Sequence, residues 1–341
     1  MATPRPFPTV AVHPAWAAVA LRARGVLLCG VIALAGTFLA RAHGGPQLLY
    51  ALLLGIGFHF LADHAATLAG VEFCSRTLLR VGVALLGARI TVDQIAALGW
   101  PTAALVASAV ASTLLFGLGA ARALGLDRTL GVLSGGATAI CGASAAMALS
   151  AVLPRSRDNE RWTLVVVLAV TTLSTVAMVA YPLVAHLLAW PDAQAAVFLG
   201  ATIHDVAQVV GAGYAMGPAV GDQAVVVKLM RVALLVVVVL AVGAALRRGA
   251  HAPAARGLPV PPFMLAFLGL VVLHSAGAVP RGWEAPLADL SRACLVVAIA
   301  ALGVRTSFAT LAGAGWRCFA LLVAETAWLA LWVGLGLHWT R

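Results

Sequence analysis

Apolar residues run along this chain in blocks of roughly 17–25, the length a helix needs to cross a hydrocarbon core of about 30 Å. The blocks recur to the C-terminus and predict strong apolar helices near 25–40, 47–62, 77–92, 101–121, 162–189, 223–246, 260–279, 290–305 and 315–338. A porin-like barrel would instead alternate apolar and polar residues over about ten positions per strand. Two further segments, 130–153 and 195–217, are long enough to cross but loaded with Gly and polar groups. The expected fold is therefore all-α: a polytopic transmembrane bundle of about nine to eleven helices, forming one transmembrane domain over 25–338 behind a cytoplasmic tail, 1–24.

Composition sharpens this to a membrane protein. Of 341 residues, 62% are hydrophobic and 10% charged, and the mean hydropathy is +1.01, which excludes a water-soluble fold. The formal charge of +10 would suggest nucleic acid in a soluble protein. Here Arg22, Arg24, Arg122, Arg128, Arg247 and Arg248 sit at the ends of apolar runs, where basic residues hold cytoplasmic loops inside and meet anionic lipid, so no nucleic-acid partner is expected. The segment from Arg22 to Ala42 imitates a secretory signal peptide. A first helix with a cytoplasmic N-terminus, in the inner membrane, explains the same residues. The five cysteines form no Cys-x-x-Cys pair, so neither a disulfide framework nor a metal site is expected.

Charge placement bears on the two polar segments. If both cross, the loop around Arg155, Arg157 and Arg161 lies outside, against the positive-inside tendency. If both turn back, the clusters at Arg122/Arg128, Arg155/Arg157/Arg161 and Arg247/Arg248/Arg256 all fall inside. One broken segment then enters from each face; helices that cross at the midplane stay open. A gapless alignment of Ser75–Trp100 with Ser291–Trp316 matches Ser75/Ser291, Arg76/Arg292, Leu86/Leu302, Gly87/Gly303, Arg89/Arg305, Ala96/Ala312, Gly99/Gly315 and Trp100/Trp316. An odd number of crossings separates the copies, so they should lie antiparallel, the inverted-repeat pattern of secondary transporters that bind substrate near the midplane.

Non-helical backbone at membrane depth must be buried in protein or line a wet cavity. Gly135-Gly136 and Gly142 permit such a break, and half-helix N-termini with hydroxyls from Ser134, Thr138 and Ser144 would suit a tetrahedral oxyanion. The competing reading is close helix packing through Gly131-x-x-x-Gly135. In the second segment His204, Asp205 and Gln208 fall within about one turn of a helix. They read either as a structural His–Asp pair or as a substrate contact or proton-coupling pair. The candidate solute-binding set is Ser134, Thr138, Cys141, Gly142, Ser144, Thr202, His204, Asp205 and Gln208. Arg89 and Arg305, equivalent in the repeat, are further anion contacts or snorkelling arginines. Lys228 and Arg231 share a face at i, i+3 and are expected to reach the interface; Glu325 lies closer to mid-helix, with no partner named by the sequence. His59, His186 and His274 read as structural. No Gly-x-x-x-x-Gly-Lys loop, His-Glu-x-x-His or nucleophile set occurs, so neither an enzyme nor a bound cofactor is expected.

These residues carry a family resemblance. Gly82–Ile90, Thr138–Ala145, Gly200–Ala212 and Lys228-Leu229-Met230-Arg231 are similar to the YeiH-type sulfate exporter family, over most of the chain from about residue 45. The resemblance implies an inverted-repeat fold related to the sodium/proton antiporter and bile-acid symporter superfamily, with broken helices that cross at the centre. It also implies sulfate or a related small inorganic or organic anion as cargo. A coupling proton or sodium ion and a homo-oligomer stay open; a sodium- or proton-coupled cation antiporter is the alternative, with a membrane enzyme or channel behind it.

Overall fold

The computed structural model describes residues 14–62, 64–154, 157–247, 261–306 and 315–339. All regular elements among them are helical. In chain order they are α1 (Pro14–His43), α2 (Gln47–Gly57), α3 (Ala65–Phe73), α4 (Leu79–Leu86), α5 (Val92–Ala97), α6 (Gly99–Ala123), α7 (Arg128–Ala139), α8 (Ala143–Ser150), α9 (Arg157–Leu187), α10 (Asp192–Thr202), α11 (Val206–Met216), α12 (Pro218–Arg247), α13 (Pro262–Ser275), α14 (Arg281–Arg305) and α15 (Trp316–Trp339). Six helices among the described residues, α1, α6, α9, α12, α14 and α15, are long and apolar enough to cross a membrane. Their outer faces present Leu27, Leu34, Leu115 and Leu331, whereas the buried interior holds Ser134, Thr138, His204, Lys228, Arg231 and Glu325. Apolar outside and polar inside is what a chain dissolved in lipid adopts, because lipid solvates leucine and gives a charge no partner.

Several predicted helices differ in extent, and the one expected at 290–305 begins at Arg281. The one expected at 47–62 stops at Gly57 and gives way to a 3-10 turn, His59–Leu61. The one expected at 77–92 is the second half of a longer element, since α3 and α4 are joined by a π-helical turn, Cys74–Leu78. The one expected at 260–279 is confined to Pro262–Ser275. Helix α1 begins at Pro14, inside the expected N-terminal tail. Residues 1–13, the basic positions 155, 248 and 256, and the repeat match at Ala312 lie outside the described residues.

The helices pack as two groups. One holds α1–α4, α13 and α14; the other holds α6–α12 and α15. Within the first group α2 and α14 touch backbone to backbone, since a Cβ on Gly55 would sit 2.3 Å from Ala300 O, and one on Gly303 2.3 Å from Leu52 O. Helices α4 and α14 run antiparallel: Ser291 Oγ donates to Gly82 O at 2.7 Å, and Arg305 Nη1 to Ser75 Oγ at 3.1 Å. In the second group α6 and α15 are likewise antiparallel, with Trp332 Nε1 donating to Ser108 Oγ at 3.2 Å and Glu325 lying against Gly117.

Candidate functional site

Both polar segments are helical hairpins. Helix α7 starts on Asp127, whose side chain accepts from Thr129 N at 2.7 Å, and ends at Ala139. Ile140–Gly142 then unwinds, with Gly142 at φ +61°, ψ −121°, and α8 turns back along α7. A Cβ on Gly136 would meet Leu149 Cδ1 at 2.2 Å, and Ser150 is held at the start of α9 by Thr163 Oγ1, 2.9 Å from its hydroxyl. In the second hairpin α10 ends at Thr202, Ile203 and Asp205 have extended backbone, and α11 returns. Along α12, Gly200 meets Ala224 and Val227 while Gly213 meets Gly221, so α10 runs parallel to α12 and α11 antiparallel. The first hairpin opens where α15 begins, near Gly125 and Arg317, and the second where α15 ends, near Trp190 and Gly334. The turned-back arrangement is thus the one the chain adopts, in place of the crossed pair that the resemblance implies.

The two tips meet at mid-depth over two cations. Helices α7 and α10 point their C-terminal carbonyls, the negative end of each helix dipole, at one another. Lys228 Nζ donates to Ile140 O at 2.6 Å, Ile203 O at 2.9 Å and His204 O at 2.5 Å. Arg231 Nη1 donates to Ala201 O at 2.8 Å and Ile203 O at 3.1 Å, Nε to Ala139 O, and Nη2 to Thr138 O. Both side chains are fully buried, which corrects the expectation that they reach the interface. Helix α12 begins at Pro218, so Lys228 lies ten residues in (228 − 218), about 15 Å from that end. Their isolation inside a valine-rich run was the signal that could have placed them.

The other candidate residues surround this junction. His204 and Asp205 lie in the break, not on a helical turn, and the expected His–Asp pair does not form. His204 Nδ1 donates to Thr138 O at 3.2 Å, and Nε2 is 3.0 Å from Thr326 Oγ1. The Asp205 carboxylate caps α11 by accepting from Ala207 N at 3.0 Å, and its own N–H donates to Ser174 Oγ at 3.1 Å. Gln208 is buried between Ser174 and Thr175 of α9. The Thr202 hydroxyl bonds back to Phe198 O at 2.6 Å. Ser134 Oγ and Thr138 Oγ1 both donate to Glu325, at 2.6 and 3.1 Å; this names the partner that the sequence left open. Gly142 is buried, Ser144 is exposed, and the Ser144 hydroxyl bonds to Cys141 O at 3.2 Å and Sγ at 3.0 Å. Gly131 and Gly135 pack against α6 at Gly117, the role the packing reading gave them.

Arg89 and Arg305 lie apart from the tips. Arg89 Nη2 pairs with Asp222 Oδ2 at 3.3 Å, joining the end of α4 to α12, and Tyr214 donates to the same carboxylate. Arg89 and Tyr214 border a cavity of about 190 Å³ that Gln47, Leu86 and Arg292 also line. Arg305 instead bonds Ser75 within its own helix group.

Comparison with known proteins places this architecture in a family. The model of the family described as conserved hypothetical protein 698 matches residues 24–322. The chain is 47% identical over 319 residues to the UPF0324 membrane protein TauZ of Paracoccus denitrificans, covering 92% of this chain and 94% of that one. It is 46% identical over 312 residues to a UPF0324 membrane protein of Chlorobaculum tepidum, covering 91% and 87%. A Rhizobium meliloti UPF0324 membrane protein is 46% identical over 318 residues, covering 92% of each. No solved structure matches the chain significantly.

Proposed function

Because this chain belongs to the conserved hypothetical protein 698 family of multi-pass membrane proteins, and its two hairpin tips meet over buried cations, we propose that it is a secondary transporter for a small anion, with sulfate the first candidate. The observation that carries this reading is the state of Lys228 and Arg231. Among the described residues neither has a carboxylate within ion-pair distance, and both are held only by carbonyls. Two such cations at mid-depth leave a positive region that a passing anion balances, and buried charges of this kind mark solute paths. The N-terminus of α8 opens at the same junction beside exposed Ser144, offering the amides of Ala143 and Ser144 to an oxyanion, while the Gly142 amide already donates to Ala137 O at 2.9 Å. Asp205 already occupies the corresponding end of α11.

The repeat supports an inverted architecture. Helices α2, α3–α4 and α6 correspond in order to α13, α14 and α15, and the pairs α4/α14 and α6/α15 are antiparallel. Arg305 beside Arg76 then mirrors Arg89 beside Arg292. Both tips belong to the α6–α12, α15 group, so we read that group as the moving part and the α1–α4, α13, α14 group as its support. The reading assigns no chemical reaction and no cofactor, puts the chain in the inner membrane with its N-terminus inside, and leaves a homo-oligomer open. A sodium- or proton-coupled cation antiporter is the second reading, favoured by the partly exposed Asp205 at the tip.

Radiolabelled sulfate uptake into proteoliposomes, with and without imposed sodium and proton gradients, tests both. Saturable sulfate flux above that of empty liposomes supports the anion reading. Sodium–proton exchange with no sulfate movement under any gradient overturns it in favour of the antiporter.

A further inference from the structure

Glu325 sits where a carboxyl group is hard to explain as packing. It is fully buried in α15, against α6 and α7. The helices come close there to make room for it: a Cβ on Gly117 would stand 2.6 Å from Glu325 Oε1, 2.8 Å from Gly135 Cα and 3.0 Å from Gly131 O. Its only hydrogen-bond partners among the described residues are two neutral hydroxyls, Ser134 and Thr138, and no cation lies within ion-pair distance. One turn along α6 from Gly117, Thr113 is fully buried and its Oγ1 has no partner. One turn along α15, Trp328 stacks on Phe116 at 4.7 Å and its Nε1 is likewise unpartnered. A carboxylate with no countercharge in a dry interior is costly, and a proton is the cheapest way to neutralise it.

This group is wired to the tips. Thr138 donates its hydroxyl to Glu325 and offers its carbonyl to His204 Nδ1 and to Arg231. His204 Nε2 returns to Thr326, the residue after Glu325. The ionisable groups facing the region are few. Helices α6 and α7 bring none to Glu325, the break after α10 brings His204, α12 brings Arg231 as far as Thr138, and α9 brings Tyr181 only near Ala330 and Gly334. On α15 itself the nearest is Cys318.

We propose that Glu325 is a proton-binding site whose occupancy is coupled to loading of the hairpin tips. In each cycle the carboxylate takes one proton from water at one face, forming the neutral acid, and returns it to water at the other; no other bond is made or broken. Any change in the Thr138 backbone when a solute enters the tips alters the hydroxyl bond to Glu325. The coupling rests on the transporter reading, whereas the proton site itself is tested without it.

The test is infrared difference spectroscopy of the full chain in lipid vesicles between acid and alkaline pH. The expected result is a carbonyl band of a neutral carboxylic acid that shifts in D₂O and is missing in Glu325→Gln. Ser134→Ala, which removes one hydroxyl without touching the carboxyl, moves the pH midpoint of that band. Absence of the band, its survival in Glu325→Gln, or an unmoved midpoint in Ser134→Ala overturns the proposal. In proteoliposomes a proton gradient accelerates sulfate flux, and in Glu325→Gln the ratio of flux with and without the gradient falls to unity; a retained ratio overturns the coupling. A band that behaves as expected in a protein that moves no sulfate upholds the proton site and sinks the sulfate reading alone.

Discussion

Substituting Gly142 with alanine tests whether the first tip is an unwound turn rather than an interrupted crossing helix. At φ +61°, ψ −121° the backbone occupies a region closed to residues with a Cβ, and holding alanine there costs on the order of 1–3 kcal/mol. The new Cβ would stand 3.0 Å from Val170 Cγ1 and 3.7 Å from His204 Cβ. Relief toward α9 is therefore blocked, and crowding adds about 1 kcal/mol or more. The reduced freedom of the unfolded chain returns about 0.4–1 kcal/mol. A net loss of about 2–3 kcal/mol follows. For a chain of 341 residues that lowers the apparent melting temperature by roughly 3–4 °C. The assay is thermal unfolding of the purified full chain in detergent at one fixed scan rate. Gly269→Ala in α13 is the control, because its added Cβ meets nothing within 4 Å, and mid-helix alanine is favoured over glycine by about 0.8–1 kcal/mol. If Gly142→Ala melts with the control, the turn geometry and the hairpin drawn from it are wrong.

Three further outcomes are expected. Paired cysteines at Gly136 and Leu149, in a background without the native five, should cross-link under mild oxidation, since the two side-chain positions touch across the hairpin; in one continuous helix those 13 residues (149 − 136) would span about 20 Å and no link would form. Lys228→Met should destabilise the chain by about 3 kcal/mol, because the buried Ile140 and His204 carbonyls lose their donor at about 1–3 kcal/mol each, Ile203 O keeping Arg231, while relief from burying an ammonium offsets part; a wild-type melting curve would contradict the tip geometry. Arg89→Gln and Asp222→Asn, combined in a double-mutant cycle read by melting, should couple by about 1 kcal/mol, as befits a pair whose side chains are 24% and 22% exposed; strict additivity would show that the two helix groups are not latched there.

The sequence by itself determined the solvent, the class of structure and the location of its irregular parts. Apolar blocks of membrane-spanning length require helices, because each backbone group must find its partner within its own segment in lipid. The Gly-rich run Ser134–Ser144 and the charged run Thr202–Gln208 stand out because neither pattern survives against lipid. Charge placement around Arg122, Arg157 and Arg247 also favoured segments that turn back, which is what α7–α8 and α10–α11 do.

Only the tertiary structure decided what those runs bond to. Periodicity locates a residue along its own helix but says nothing of which helix faces it, so Glu325 was visible without Ser134 and Thr138, which lie 191 and 187 positions away. The same blindness separated His204 from Asp205. Adjacency in sequence suggested a pair, but in the extended backbone of a tip one side chain bonds Thr138 and Thr326 and the other caps α11. Lys228 and Arg231 were misplaced for a related reason: their depth depends on where α12 begins, and their partners are carbonyls, which every residue carries and no sequence pattern distinguishes. Two half-helices ending at one point create a demand for cations that exists only once the chain has folded.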